Sequence, residues 1–371
     1  MKIEDYQNIL RHDLGSFIRF AFTELHPHAD YQHNWHIDVM AHYLSLAAEG
    51  KCKRLIITMP PRMLKSHCAS IALPAWMLGR DPRKRIIYLH GAKALGLELE
   101  DDCAQLMRSP RYRALFPTTG LREEKGRLVT NFGGRRQFMP IMGRLTGLGA
   151  DMLIIDDPMS TTDAHDKGAR MRLNRQFDEN VLQRLDDKNH GAIVLVMQRL
   201  HENDLAGHLL AKNVGWLHIN LPAIAMQDET WTLPHGHSYI RKKGEILHPE
   251  RESKEQLGKT LISIGGYAFA YQYMQGAYKP RFGETGEGGV WLNPMREGEF
   301  YDMEKNTNLN GLFRLSELHF MLPRIFGIGE DPIPPNARDY VTDEEMNYNL
   351  ARYREIMLEH QRKVASGELE Y

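Results

Sequence analysis

The sequence has few of the features that mark secreted, disulfide-stabilised or membrane-spanning proteins. Its 371 residues include three cysteines, Cys52, Cys68 and Cys103, which are odd in number and far apart. They form no disulfide framework and are typical of a reducing, intracellular environment. No apolar run approaches the roughly 18–20 residues that a membrane span needs. Residues 1–5 carry acidic side chains and no apolar stretch, so we expect no signal peptide there.

Neither sign of charge is in excess, and no cysteine–histidine spacing typical of a metal site is apparent. The net charge of −1 excludes a chain coated in basic residues, although a local basic groove for nucleic acid remains compatible with it. The apolar fraction of 42% and the charged fraction of 26% are ordinary for a globular protein. The length suggests two or three domains, or one large α/β domain with appendages.

Short apolar runs alternate with amphipathic segments along most of the chain. This alternation predicts an α/β fold with a central, mainly parallel sheet flanked by helices. Residues 1–50 have apolar side chains at helical spacing and predict a helical segment, and residues 118–145 predict a β-hairpin or meander. The predicted buried strands are 55–59, 85–90, 152–155, 193–197 and 216–221.

One stretch, residues 59–66, has the pattern of a strand, a tight turn and the first turn of a helix. Pro60 and Pro61 end the strand, and Lys65 and Ser66 open the helix. A lysine and a hydroxyl at this position are typical of a phosphate loop (Walker A motif), in which backbone N–H groups and the lysine hold phosphates and the hydroxyl binds Mg²⁺. The pattern GxxxxGK[ST] requires glycine at positions 59 and 64, where this chain has Met59 and Leu64. Taken alone, the stretch fits an ordinary strand–turn–helix with a surface lysine equally well.

Two later strands also end in polar side chains. The run 152–155 leads into Asp156 and Asp157, which is typical of a Walker B strand: one carboxylate holds Mg²⁺ and the next orients and deprotonates the attacking water. The run 193–197 leads into Gln198 and Arg199, which are well placed to sense a γ-phosphate. Simpler interpretations exist, because Asp-Pro also ends strands and Arg199 is equally suited to a strand-end salt bridge. The combination with Lys65 is what makes the pattern specific.

Four residues lie just upstream of the first strand: Tyr31, Gln32, Trp35 and His36. In many ATPases an aromatic and an amide side chain ahead of the phosphate loop hold the adenine, so these residues are candidate nucleotide contacts. The alternative is that Trp35 anchors its helix in the core and that the other three lie on the surface.

Together, the motifs resemble those of the large subunit of a tailed-bacteriophage terminase, the DNA-packaging motor. The resemblance covers roughly residues 30 to 280. It is carried by Trp35-His36, residues 60–66, Pro74-Ala75-Trp76 with Leu78-Gly79-Arg80, residues 109–117, Thr146-Gly147 with Gly149-Ala150-Asp151, residues 155–158, residues 198–207, residues 221–224, and Tyr271-Gln272 with Gln275.

The resemblance implies a RecA-like P-loop ATPase that uses ATP and Mg²⁺. It implies that Asp157 is the catalytic carboxylate and that Gln198 and Arg199 couple hydrolysis to movement. The family also uses an arginine on the transferring phosphate, and both Arg62 and Arg144 are candidates. The implied nucleotide contacts are Pro61, Arg62, Met63, Leu64, Lys65, Ser66, Trp35 and His36, and the implied Mg²⁺ ligands are Ser66 and Asp156.

On this basis we divide the chain into an N-terminal helical segment (1–50), an ATPase core (51–280) with a lid-like insertion (223–252), and a linker with a small irregular C-terminal tail (281–371). Most members of the family carry a second, nuclease domain. We find no counterpart after residue 290, where the remaining length is too short for it. We therefore expect an ATPase subunit whose nuclease, if any, is a separate chain.

The resemblance also implies partners and a location. The partners would be double-stranded DNA, the portal protein and procapsid, a small terminase subunit, and further copies of this chain in a ring, with no membrane. The location would be the host cytoplasm. Two alternatives remain open: another DNA-dependent ATPase of helicase type, and a prophage remnant that binds DNA or portal without hydrolysing ATP, which Leu64 and the missing nuclease favour.

Overall fold

The computed structural model describes residues 2–117, 119–124, 127–234 and 238–276. The linker and tail expected at 281–371 lie outside the described residues. The chain divides into two compact units. The first contains residues up to Leu221 together with Thr230–Tyr239, and the second contains Pro222–Glu229 and the chain from Ile240 onward. The insertion expected at 223–252 is therefore shared between the two units.

A central eight-stranded sheet forms the middle layer of the first unit. Its order is β3-β4-β5-β2-β6-β7-β1-β8. The pairs β3–β4 and β4–β5 are antiparallel, and all the other neighbouring pairs are parallel. This is the RecA-like α/β fold that the sequence predicted. The strands are β1 (Arg54–Thr58), β2 (Arg85–His90), β3 (Leu121–Glu124), β4 (Arg127–Thr130), β5 (Arg135–Pro140), β6 (Met152–Asp156), β7 (Ala192–Met197) and β8 (Leu217–Asn220).

The parallel strands are short and apolar because helices cover both faces of the sheet. Every residue of β6 and β7 is buried. One face packs against a cluster that includes Leu173, Phe177 and Leu209 from the helices that follow β6 and β7. The opposite face packs against the helices that precede β1 and follow β1 and β2. The site at the sheet edge is thus held by a three-layer core.

Three helices occupy most of residues 3–48, and helices alternate with strands in the rest of the first unit. A π-helical stretch, His67–Ala72, joins the loop that follows β1 to α4, and another, Phe177–Val181, follows α8. The helices are α1 (Ile3–His12), α2 (Leu14–Leu25), α3 (Trp35–Ala48), α4 (Leu73–Arg80), α5 (Lys93–Arg108), α6 (Pro110–Leu115), α7 (Thr161–His165), α8 (Lys167–Gln176), α9 (Leu205–Ala211) and α10 (Lys254–Gln272), with a short 3₁₀ turn at Leu182–Arg184.

A buried ion pair joins α5 to β5 beneath the site. Arg136 and Glu100 are in contact, and both side chains are almost completely excluded from solvent. The Arg136 guanidinium also donates to the Ser70 carbonyl at 2.8 Å and lies over the Tyr88 ring at 4.6 Å. Burial lowers the pKa of Arg136 to about 10, and the guanidinium stays charged at neutral pH. The pair therefore connects the core of the sheet to the helix that follows the phosphate loop.

The second unit is built around α10, which is kinked where Gly265 takes a left-handed φ of 79°. The buried Arg241 donates to the carbonyls of Pro222 and Glu245, at 2.8 Å and 2.9 Å respectively, and so ties the start of this unit to its middle. A separate two-stranded sheet is formed by β9 (Glu229–Thr232) and β10 (Ser238–Arg241), and most of its residues belong to the first unit.

Across the part of the chain that the structure describes, no helix combines the length and the apolar character that a bilayer crossing requires.

Candidate phosphate-binding site

The polar strand ends converge at one edge of the sheet. Because β1, β2, β6 and β7 are parallel, their carboxyl ends share that edge, which is where open α/β sheets bind ligands. The register places His90 beside Asp156, and Asp156 beside Val196. β7 lies between β1 and β6, so its end stands between the phosphate loop and the two carboxylates.

The loop that follows β1 has an unusual backbone. Arg62 and Leu64 both take left-handed φ angles, 64° and 60°, on either side of the buried Met63. The Met63 carbonyl lies 3.3 Å from Nε2 of the buried His36 in α3. Alternating left-handed residues turn neighbouring N–H groups toward a common side, which is the backbone geometry of anion-binding nests. The loop therefore reaches, without glycine, backbone angles that glycine adopts most easily.

Leu64 holds this conformation at a cost, because a left-handed φ strains an L-residue by about 1–2 kcal/mol. We expect Leu64→Gly to leave the free energy of unfolding within about 1 kcal/mol of the parent, since the relieved strain offsets the lost apolar contact. The β-branched Leu64→Val, in contrast, should unfold more easily and bind nucleotide more weakly. Chemical denaturation and nucleotide titration of the two variants check this. A glycine variant that is much less stable than the valine variant would contradict it.

The helix that follows the loop leaves N–H groups available for a ligand. Its hydrogen bonding begins where the Cys68 N–H donates to the Leu64 carbonyl at 2.9 Å, so the N–H groups ahead of Cys68 in the first turn have no partner within the helix. The positive end of the helix dipole adds to their affinity for an anion. This end of the helix therefore suits a phosphate group.

Lys65 is buried at this helix start, with 6% of its surface exposed. Its Nζ lies 2.9 Å from Oδ2 of Asp157. Burial opposes the charge on Lys65, but the carboxylates of Asp157 and Asp156 outweigh it, so the pKa of the ammonium lies above its ordinary value. Lys65 is therefore a desolvated cation directed at the end of β6 rather than a surface lysine.

Asp156 is completely buried and accepts two serine hydroxyls. Ser66 Oγ donates to its Oδ1 at 3.2 Å, and Ser70 Oγ donates to its Oδ2 at 2.7 Å. The two serines are four residues apart, on one face of the helix that leaves the loop. Burial, followed by the charge of Asp157, raises the pKa of Asp156 to about 7, while Lys65 and the serines oppose this rise. A cation bound beside this carboxyl group would stabilise its charged form.

The oxygen groups here fit a magnesium ion that is bound together with phosphates. Mg²⁺ prefers hard oxygen ligands and usually takes one or two side chains, with the rest of its shell supplied by phosphate oxygens and water. The Ser66 hydroxyl and the Asp156 carboxylate are adjacent and supply such a pair. The residues that the structure describes contain no cluster of three or more His, Cys, Asp or Glu side chains suited to a metal. Ser66 and Asp156 would hold the ion, which would neutralise charge on the phosphates.

Asp157 is fixed by both its backbone and its side chain. Its φ is 38°, its N–H donates to the Val196 carbonyl at 3.0 Å, and its own carbonyl accepts from the Gly91 N–H at 3.2 Å. Its Oδ1 accepts from the Gln198 N–H at 3.1 Å. Asp157 thus joins the ends of β2, β6 and β7 and presents its other carboxylate oxygen to Lys65.

Gln198 and Arg199, the two polar residues after β7, differ in their hydrogen bonding. The Oε1 atom of Gln198 is buried and accepts no hydrogen bond from the described residues. Arg199 pairs through Nε with both carboxylate oxygens of Asp204, at 3.0 Å and 2.9 Å. Arg199 therefore makes the strand-end ion pair that was the alternative to a role at the phosphate. A coupling role for Gln198 and Arg199 stays a prediction.

The remaining candidates are spread around the loop. Arg62 is exposed, and its positive charge acts to lower the pKa of Lys65. Arg144 is exposed in the turn between β5 and β6. Trp35 is half-buried, and its ring faces those of Trp231 and Tyr239, with centroids 6.4 Å and 6.1 Å away. The choice between the two arginines, and the adenine contact proposed for Trp35, stay predictions.

Ser70 and His90, which the sequence analysis did not assign to the site, lie at the same edge, as does Asp204 of the segment 198–207. Ser70 supports Asp156. Asp204 holds Arg199 and caps α9 by accepting from the Gly207 N–H at 2.9 Å. His90 ends β2 beside Asp156. Ser70 could have been assigned to the site from its four-residue spacing from Ser66, which places both serines on one helix face. His90 could have been assigned to it as the polar residue that ends β2.

Solved structures with a similar fold include large terminases. No protein-family model matches the sequence, and no curated protein does. The large terminase of bacteriophage HK97 is 11% identical with a TM-score of 0.38, over 57% of this chain and 44% of that one. The large terminase ATPase domain of Thermus phage P74-26 is 15% identical with a TM-score of 0.41, over 68% and 96%.

A third similar structure is the large terminase of a thermophilic bacteriophage in complex with ATP-γ-S, which is 8% identical with a TM-score of 0.37 over 64% of this chain. The chain spans about half the length of the two full terminases, 44% and 51%. These structures belong to the family that the motifs resemble. All three TM-scores are below 0.5, so the function has to be inferred from this chain's own residues.

Proposed function

We propose that this chain is an ATP-hydrolysing motor subunit of terminase type that moves double-stranded viral DNA into a procapsid. The observation that carries the ATPase part is the convergence of Lys65, Ser66, Asp156 and Asp157 at one sheet edge. A buried lysine and a serine at a helix start face two adjacent carboxylates, one of them bonded to the serine and the other to the lysine. This set supplies what phosphoryl transfer needs: phosphate binding, a metal ligand and a base.

The roles of the residues follow from their chemistry. The loop N–H groups and Lys65 bind the β- and γ-phosphates, and Ser66 and Asp156 hold Mg²⁺. Asp157 orients the attacking water and accepts its proton. The water oxygen bonds to the γ-phosphorus while the bond to the bridging oxygen breaks, which releases ADP. Arg62 or Arg144 stabilises the charge on the transferring group.

The DNA-related part of the proposal rests on the motif resemblance. The partners proposed are double-stranded DNA, the portal of a procapsid, a small terminase subunit, a separate nuclease chain and other copies of this subunit in a ring. The proposed location is the host cytoplasm. Arg199 and Asp204 join the end of β7 to the start of α9, which supports the proposed role of Gln198 and Arg199 in coupling hydrolysis to movement.

ATP turnover of the parent chain and of Lys65→Ala, with and without double-stranded DNA, tests the proposal. Loss of the buried ammonium should lower turnover by about 10²–10³-fold, because it removes a charge directed at the developing negative charge. Lys53→Ala is the matched control, since Lys53 is exposed at the opposite end of the same strand. That variant should hydrolyse ATP at the rate of the parent.

The outcomes separate the candidate functions. Turnover that double-stranded DNA stimulates, and that Lys65→Ala removes, supports the packaging motor. Turnover stimulated mainly by single strands favours the helicase-type ATPase. Binding of ATP or DNA without turnover in the parent favours the hydrolysis-defective remnant and overturns the motor.

A further inference from the structure

His90 is a buried histidine at the carboxyl end of β2, and the roles proposed above do not use it. Only 2% of its surface is exposed. It lies beside Asp156 in the β2–β6 register, and the next residue, Gly91, donates its N–H to the Asp157 carbonyl at 3.2 Å. The imidazole therefore stands at the same sheet edge as the two carboxylates.

One ring nitrogen of His90 has a partner and the other has none among the described residues. The Ala92 N–H donates to Nδ1 at 2.8 Å, so Nδ1 is an acceptor. An imidazole whose Nδ1 accepts a hydrogen bond must carry its proton on Nε2. Nε2 is therefore a hydrogen-bond donor, and it is buried without an acceptor in the described part of the chain.

A buried donor without an acceptor costs about 1–3 kcal/mol, so its retention needs a reason. His90 and Asp157 line one cavity of about 290 Å³ at this edge, together with Met142, Pro158 and Leu173. The lining of this cavity thus includes one residue with an unpaired donor and one residue with a carboxylate. A water molecule that reached both side chains would accept from His90 and donate to Asp157.

We propose that His90 holds the attacking water of the ATPase reaction, with Nε2–H donating to the water oxygen while Asp157 accepts the water's proton. The inference rests on the proposed function. In the step, the water oxygen bonds to the γ-phosphorus, the bond from phosphorus to the bridging oxygen breaks, and the proton passes to Asp157. His90 neither gains nor loses a proton, so its contribution is orientation of the nucleophile.

A matched pair of variants isolates the donor. His90→Gln and His90→Met have side chains of the same length, but only glutamine carries an N–H near the position of Nε2. We expect His90→Met to lower kcat by about 10–100-fold, with KM for ATP and nucleotide affinity within about twofold of the parent. His90→Gln should recover most of that loss. A purely structural role would affect both variants alike, or would change KM and nucleotide affinity as well.

Lys65→Ala, assayed alongside, separates failure of this inference from failure of the proposed function. If the parent does not hydrolyse ATP, or Lys65→Ala leaves its turnover intact, the proposed function fails. If Lys65→Ala removes turnover but His90→Met and His90→Gln both match the parent, the inference alone is overturned. Equal losses in the two variants also overturn it, because packing and not the donor would then be responsible. His90→Phe replaces His90→Met should the latter not fold.

Discussion

Asp157→Asn is expected to lower kcat for ATP hydrolysis by about 10²–10⁴-fold, the range that loss of a general base produces. Asparagine has the size of aspartate and tolerates a left-handed φ, so the backbone at this position, where φ is 38°, should be retained. In this variant Lys65 still lies near the charge of Asp156. We therefore expect the nucleotide affinity to stay within about tenfold of that of the parent. Steady-state turnover and equilibrium nucleotide titration measure the two effects separately.

Asp186→Asn is the control for this change. Asp186 also carries a carboxylate paired with a cation, Arg85, at 2.8 Å, but it lies at the opposite end of the sheet. It should leave kcat within about twofold of the parent, because surface ion pairs contribute little. If Asp157→Asn turned over ATP as fast as Asp186→Asn, the base would have to be sought elsewhere.

Glu100→Gln is expected to produce the largest loss of stability, about 3–5 kcal/mol in the free energy of unfolding, as is usual when one partner of a buried ion pair is removed. The variant leaves the Arg136 guanidinium charged in a site that excludes water. Because that guanidinium also bonds the Ser70 carbonyl, the helix that carries the phosphate loop should loosen too. Urea denaturation followed by circular dichroism measures the change.

Two further variants show whether an unpaired buried charge is the cause. The double variant Glu100→Leu/Arg136→Met removes both charges and should recover much of the lost stability, since apolar replacement of a whole buried pair is often tolerated. Arg122→Met removes an exposed arginine that pairs with Glu124 at 3.0 Å, and it should change stability little. A double variant as unstable as Glu100→Gln would assign the loss to packing instead.

The strands and their polar ends were predictable because buried parallel strands have a simple signature. Runs such as residues 193–197 are apolar throughout, and the polar residues that follow must lie at the carboxyl edge. The expectation that Lys65 and Asp157 belong to one site came from that geometry. The order of the strands in the sheet is harder to predict from the sequence than the strands themselves. The position of β7 between β1 and β6 becomes known only from the hydrogen-bonded pairing of the strands.

Contacts between residues far apart in the chain were harder to predict from the sequence. His36 precedes the loop by 27 residues, and nothing in the local pattern indicates that its ring lies against the Met63 carbonyl. Leu64 was read as a defect because glycine is usual there, yet the structure gives leucine the left-handed angle itself. A strand-end salt bridge of Arg199 was one of the two interpretations considered, but its partner, Asp204, became known only from the structure.

The attachment of Asp157 has a consequence for how the site would respond to nucleotide. Its backbone and carboxylate are held by Gly91, Val196 and Gln198, so the end of β6 has little freedom to rearrange. Lys65 is held to it by one ion pair at the end of a chain of four rotatable bonds. Exchange of a carboxylate for a phosphate partner would therefore be made by the lysine. Asp157 would keep its position, and the loop and its helix would move relative to it.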